Sequence, residues 1–117
     1  MRILLIDDNE SITEMLSKYL TTKGHQCTVS NDGRNGLTLI LEKKFDVVLL
    51  DLAMPEFTGA DVVDHLQKSG KINGQKIILF TASSIQDQEI EDLLKKGVHS
   101  CIKKPVKLDT LLNAMGG

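Results

Sequence analysis

The run Val47-Val48-Leu49-Leu50-Asp51 constrains the fold more than any other stretch of this chain. Four apolar residues in succession, two of them β-branched, suit a strand buried on both faces. Pro55, four residues past Asp51, stops that strand from continuing. Asp51 therefore stands where a buried strand surfaces. In an open parallel sheet the ligand crevice lies just outside the carboxyl ends of the strands. A carboxylate there can bind a metal or attack an electrophile. Taken alone it can equally well start a turn, as Asp often does. The residues that follow the other apolar runs separate these two readings.

Four more strand-like segments appear. Ile3-Leu4-Leu5-Ile6 ends in Asp7-Asp8, and Gln26–Ser30 alternates and meets the turn Asn31-Asp32-Gly33. Lys76-Ile77-Ile78-Leu79-Phe80 ends in Thr81, and Ser100-Cys101-Ile102-Lys103 ends in Lys104-Pro105. Helical periodicity fills the gaps. Asn9 is placed to cap a first helix, whose apolar stripe is Ile12, Met15, Leu16, Tyr19 and Leu20, and Gly24 stops it. A second helix over residues 34–43 is expected to bury Leu37, Ile40 and Leu41. A third, over 60–68, turns Val62, Val63 and Leu66 inward, with Thr58 and Asp61 at capping-box spacing. A fourth, over 85–96, carries Ile90, Leu93 and Leu94, and a fifth, over 107–115, carries Leu108, Leu111, Leu112 and Met115. Five strands alternating with five helices imply βαβ crossovers, a parallel sheet and helices on both faces.

At 117 residues the chain has room for one domain with a real core, taken here as residues 1–117. Aromatic residues are only 3%, with no Trp, so no stacking platform for bases is visible. A net charge of −2 sets up no basic field toward nucleic acid or an anionic membrane. No apolar run approaches the length of a membrane span or a signal peptide. Cys27 and Cys101 form no paired motif, which suits a cytoplasmic protein with reduced thiols. His25, His65 and His99 show no metal-ligand spacing, and Gly33 and Gly36 do not match a phosphate loop.

In a parallel sheet, Asp7, Asp8, Asp51, Thr81 and Lys104 all fall at one edge, while Asn31 and Asp32 after the second strand lie off to the side. Crowded carboxylates repel, which raises their proton affinity unless a cation joins them. An oxygen-rich site of this kind suits Mg²⁺. A hydroxyl and an ammonium aimed at the same point suit a phosphoryl group, and a free carboxylate can be its nucleophile.

The order Asp7-Asp8, Asp51 with Met54-Pro55 and Gly59, Thr81-Ala82 and Lys104-Pro105 resembles the receiver domain of two-component response regulators, over the whole chain. The resemblance implies a (βα)5 doubly wound parallel sheet in the order 2-1-3-4-5, as in flavodoxin-like folds. It implies that Asp51 is the phosphoacceptor and that Asp8 and Asp51 ligate Mg²⁺ directly. Asp7 would act through water, and Ala53 would add its backbone carbonyl. Thr81 and Lys104 would each hold a phosphoryl oxygen, and the Lys104-Pro105 bond would be cis. The implied donor is a sensor histidine kinase or phosphotransfer protein, docking on the first helix. The implied output is a downstream protein or a fused domain, with a phosphorylation-dependent homodimer as a further form of it. No direct nucleic-acid or membrane binding, and no turnover beyond chemistry at Asp51 itself, is expected. An aspartyl-phosphate phosphatase would want a second Asp two residues after the nucleophile, where this chain has Ala53.

The chain departs from the family pattern at Cys101, where an aromatic usually stands three residues before the lysine. A thiol cannot play the part of a ring that moves inward on phosphorylation. Surface changes over residues 85–103 are therefore expected to be modest, and a constitutive interaction domain with weak switching is the alternative. Lys107 is a poor N-cap for the last helix, only partly offset by Asp109. Ala53 and Ser83 stand at positions that tune water access to the acyl phosphate in the family, and both are small.

Overall fold

The computed structural model describes residues 1–82 and 84–116; the expectation about Ser83 lies outside them. The elements run β1 (Arg2–Ile6), α1 (Glu10–Thr22), β2 (Gln26–Ser30), α2 (Gly33–Glu42), β3 (Val47–Asp51), α3 (Gly59–Lys68), a 3-10 turn (Ile72–Gly74), β4 (Ile77–Thr81), α4 (Asp87–Lys95), β5 (Ser100–Lys103) and α5 (Leu108–Met115). All four strand pairings are parallel, and the order is β2-β1-β3-β4-β5. Among the described residues no helix is long and apolar enough to cross a membrane.

Alternation along each strand sorts the core into two layers. Leu4, Ile6, Val48, Leu50, Ile77 and Leu79 face α2, α3 and α4; Ile3, Leu5, Val47, Leu49, Ile78 and Phe80 face α1 and α5. Every residue of β3 and β4 is buried, as strands covered on both faces require. The continuous apolar runs that mark these strands in the sequence thus have a direct cause.

The inward stripes of three helices are phased differently from the sequence expectation. In α2, Gly33, Gly36, Leu37 and Ile40 are buried and Leu41 is 47% exposed. The helix sits so close to β1 that a Cβ on Gly36 would lie 2.6 Å from Ile6 Cδ1. That contact fixes the rotation of the helix and turns Leu41 outward. In α1, Thr13, Leu16 and Leu20 are buried and Met15 faces solvent; in α4, Leu93 is buried and Leu94 exposed. Helix α4 also starts later than periodicity implies. Gln86, its N-cap, is extended and makes no side-chain cap bond.

Several caps match the sequence reading. Asn9 Oδ1 accepts from the Ser11 and Ile12 N–H groups, and Thr58 and Asp61 form a full capping box. Lys107 makes no cap bond, as expected. Helix α5 closes instead at its other end, where Lys76 Nζ donates to the Met115 carbonyl at 2.9 Å. A cation there also suits the negative end of the helix dipole.

Candidate functional site

Parallel register brings the carboxyl ends of β1, β3 and β4 to one edge, with Ile6 beside Leu50 and Asp51 beside Phe80. Asp7, the first residue past β1, and Asp51, the last of β3, are each 3% exposed. Asp8 is exposed. One carboxylate oxygen from each of Asp7, Asp8 and Asp51 lies within 4.8 Å of the others. Lys104, just past β5, is half-buried and reaches into the same place: its Nζ lies 3.0 Å from Asp51 Oδ1 and 4.0 Å from Asp7 Oδ2. The Lys104-Pro105 peptide is cis. Lys103, on the opposite side of the strand, is exposed and takes no part.

The backbone around Asp51 is held tightly. Leu52 N–H donates to the Phe80 carbonyl, and Gly59 N–H to the Leu52 carbonyl, both at 2.9 Å. Helix α3 begins so close to β3 that a Cβ on Gly59 would collide with the Asp51 carbonyl oxygen. Glycine is therefore the residue that lets the loop after Asp51 fold back. Ala53 lies exposed within that loop. Further on, Arg34 stacks over the Phe57 ring at 4.7 Å and ties α2 to the same loop.

Asp7 carries the electrostatic strain of the site. Its Oδ1 accepts from Asn9 N–H at 2.9 Å, but its Oδ2 is buried without a hydrogen-bond partner among the described residues. Burial pushes its carboxyl up to about 6. The Asn9 N–H opposes this, the Asp51 charge adds to it, Lys104 opposes, and Asp8 adds. A buried, unpartnered carboxylate oxygen beside two more carboxylates is a place a cation fits. The donors are all hard oxygens, and among the described residues one lysine, Lys104, faces the three carboxylates, so the residues suit Mg²⁺.

Two residues differ from their expected placement. Thr81 is fully buried, and its hydroxyl donates to the Ile102 carbonyl of β5 at 3.4 Å, not toward the carboxylates. Asn31, read from the sequence as lying to the side, reaches the site: its Nδ2 donates to the Asp7 carbonyl at 2.8 Å and to Thr13 Oγ1 at 3.0 Å. Nothing in the local sequence signals this, because Asn after a strand is an ordinary turn residue. Cys101 is half-buried on the α4 side of β5, and burial pushes its thiol up, so it stays protonated at neutral pH.

The family model for the response regulator receiver domain matches residues 3–116. The chain belongs to that family. Sequence relatives of this receiver include the sensor histidine kinase RcsC of Salmonella typhimurium, 31% identical over 95% of this chain. That match takes in 11% of the kinase, so the chain spans about a tenth of that relative's length. Among solved structures, the Francisella response regulator 1452 receiver domain superposes with a TM-score of 0.88 at 26% identity, covering 97% of this chain and 92% of that one. The response regulator TrrA from Thermotoga maritima in complex with Mg(2+)-BeF superposes with a TM-score of 0.78 at 28% identity, covering 96% and 93%. The five-stranded order and the two helical layers are thus those of a receiver.

Proposed function

We propose that this receiver accepts a phosphoryl group on Asp51 with Mg²⁺ and passes the change to an output surface. The observation that carries the reading is the contact of Lys104 Nζ with Asp51 Oδ1 at 3.0 Å, beside the unpartnered Oδ2 of Asp7. A histidine kinase or phosphotransfer protein is the donor, docked at α1. An Asp51 carboxylate oxygen forms the new O–P bond as the P–N bond to the donor imidazole breaks, and the imidazole leaves with its electron pair and takes up a proton. Asp51 is suited to this because a buried carboxylate is poorly solvated and already faces an ammonium. Lys104 then follows the charge from the carboxylate onto a phosphoryl oxygen. Thr81 holds a second oxygen once its hydroxyl turns away from the Ile102 carbonyl.

In this reading Asp8, Asp51 and the Ala53 carbonyl would hold the metal directly and Asp7 would act through water. When bound, Mg²⁺ would supply positive charge to the crowded carboxylates and the phosphoryl oxygens. The protein acts on its own Asp51 and not on a turned-over substrate. As a single cytoplasmic domain over residues 1–117 it touches neither nucleic acid nor membrane directly. It works through a partner protein, a fused output domain or a phosphorylation-dependent homodimer. RcsC is described as a sensor histidine kinase, and TrrA was solved with Mg(2+)-BeF; both support the phosphoryl-transfer reading for this chain.

The test is incubation with Mg²⁺ and beryllofluoride, or with acetyl phosphate, followed by NMR or intact mass. A saturable adduct that disappears in Asp51→Asn is expected. An unchanged spectrum, or an adduct that persists in Asp51→Asn, refutes the reading.

A further inference from the structure

The end of β2 grips the peptide units on both sides of Asp7. The Asp7 N–H donates to the Ser30 carbonyl at 3.1 Å, and the Asp7 carbonyl accepts from Asn31 Nδ2 at 2.8 Å. The second N–H of the same amide donates to Thr13 Oγ1 at 3.0 Å. Thr13 is a firm anchor, since it is 3% exposed and its hydroxyl is itself bonded to the Glu10 carbonyl in the first turn of α1. One side chain therefore joins the tip of β2, the end of β1 and the start of α1.

The consequence falls on Asp8. A peptide unit is planar, so fixing the direction of the Asp7 carbonyl fixes the Asp8 N–H and Cα on the other side of the bond. The Asp7 carboxylate has an anchor of its own in Asn9 N–H. The Asp8 carboxylate is exposed, and one of its oxygens lies within 4.8 Å of oxygens of Asp7 and Asp51. Its aim depends on the backbone that carries it. We infer that Asn31 is a positioning residue for the metal site, holding the Asp7-Asp8 peptide so that Asp8 faces the point it shares with Asp51. The inference rests on the Mg²⁺ reading above.

Asparagine has the chemistry this position needs. Its NH₂ group offers two donors on one atom, aimed at two acceptors. An aspartate has the same shape but no donor, and would set a carboxylate oxygen against the Asp7 carbonyl. Partners that orient metal ligands in this way typically change metal affinity by about 10- to 100-fold when removed.

The test is calorimetric titration of the 117-residue chain with Mg²⁺ alone at pH 7.5, with melting temperatures recorded in EDTA. Asn31→Ala should weaken Mg²⁺ binding about 10-fold. Asn31→Asp should weaken it as well, although its added negative charge by itself would tighten binding; it keeps the side-chain volume and serves if the alanine variant melts below the assay temperature. Thr13→Val removes the other acceptor but leaves the Asp7 bond, so its melting temperature should fall while its Mg²⁺ affinity stays within about twofold of wild type. Wild-type affinity in Asn31→Ala, tighter binding in Asn31→Asp, or equal weakening in Thr13→Val overturns the inference alone. A folded wild-type chain that binds no Mg²⁺ overturns the metal reading and this inference with it.

Discussion

Replacing Asp7 by Asn should make the metal-free protein more stable, by an amount that depends on pH. The folded protein holds the Asp7 proton up to about pH 6, against an ordinary value of 3.8. A carboxyl whose affinity for protons is raised by folding favours the native state where it is protonated. That advantage is whole below the unfolded value and is lost as pH rises through the folded one. At 1.36 kcal/mol per pH unit, the gap of about 2.2 units costs the native state about 3 kcal/mol by pH 7.5. The same linkage gives about 1.6 kcal/mol at pH 5, because only part of the interval has then been crossed.

Asparagine fits the vacancy in charge without changing the shape. Its Oδ1 can keep the Asn9 N–H, and its neutral Nδ2 replaces the buried Oδ2 that has no hydrogen-bond partner among the described residues. Asp7→Asn should therefore gain about 2–3 kcal/mol at pH 7.5 in EDTA and about half of that at pH 5. For a chain of this length that is a rise in melting temperature of roughly 8–12 °C at the higher pH. Urea unfolding at the two pH values, followed by circular dichroism, measures it directly. Saturating Mg²⁺ should narrow the difference, since the wild-type site then has its counter-charge. A variant less stable than wild type at pH 7.5, or a gain equal at both pH values, would refute the reasoning.

Gly59→Ala places a methyl group against the Asp51 carbonyl oxygen and 2.7 Å from Leu52 Cα, both backbone atoms that cannot rotate aside. It should cost about 2 kcal/mol or more in urea unfolding and weaken Mg²⁺ binding as well; a change under about 0.5 kcal/mol would contradict the packing argument. Glu56 sits at φ 64 in a tight turn closed by Phe57 N–H on the Pro55 carbonyl, so Glu56→Gly relieves strain at the cost of a more flexible unfolded chain. A net gain of about 0.5–1 kcal/mol is expected in the same assay, and a loss would show that the Glu56 side chain contributes something the backbone does not reveal.

The sheet was legible because strands buried on both faces leave an unmistakable mark: uninterrupted Val, Ile and Leu ending at a polar residue. The same runs located Asp7, Asp51 and Lys104, since a parallel sheet delivers every strand end to one edge. Helix rotation was less legible. Leu41, Met15 and Leu94 fit an apolar stripe by period alone, yet a stripe wide enough for five residues has two or three phasings. In α2 the close approach of Gly36 to Ile6, a tertiary contact, made the choice. Asn31 was hidden for a related reason. Its side chain acts across 24 residues of sequence, and neither its spacing nor its residue type sets it apart from a turn. Thr81 was placed on the right strand end, but the direction of its hydroxyl belongs to the β4–β5 pairing and not to the sequence around it.

That direction bears on how a receiver without an aromatic at position 101 reports phosphorylation. Thr81 and Cys101 lie on neighbouring strands, Leu79 pairing with Cys101 and Thr81 with Lys103, and the Thr81 hydroxyl donates to the Ile102 carbonyl between them. If, as proposed, that hydroxyl turns to a phosphoryl oxygen, the Ile102 carbonyl would lose a donor in a buried position, and the β5 backbone would be the first element to feel it. No ring has to rotate. The half-buried Cys101 has little volume to displace, so the strain has no lever with which to move α4. Beryllofluoride with Mg²⁺ should therefore shift the amides of Ile102 and Lys103 strongly and those of Ile90 to Leu94 weakly. Cys101→Tyr should spread the shifts into α4 by supplying the missing bulk. Large α4 shifts in the wild type, with β5 unmoved, would mean that the signal bypasses the Thr81–Ile102 bond.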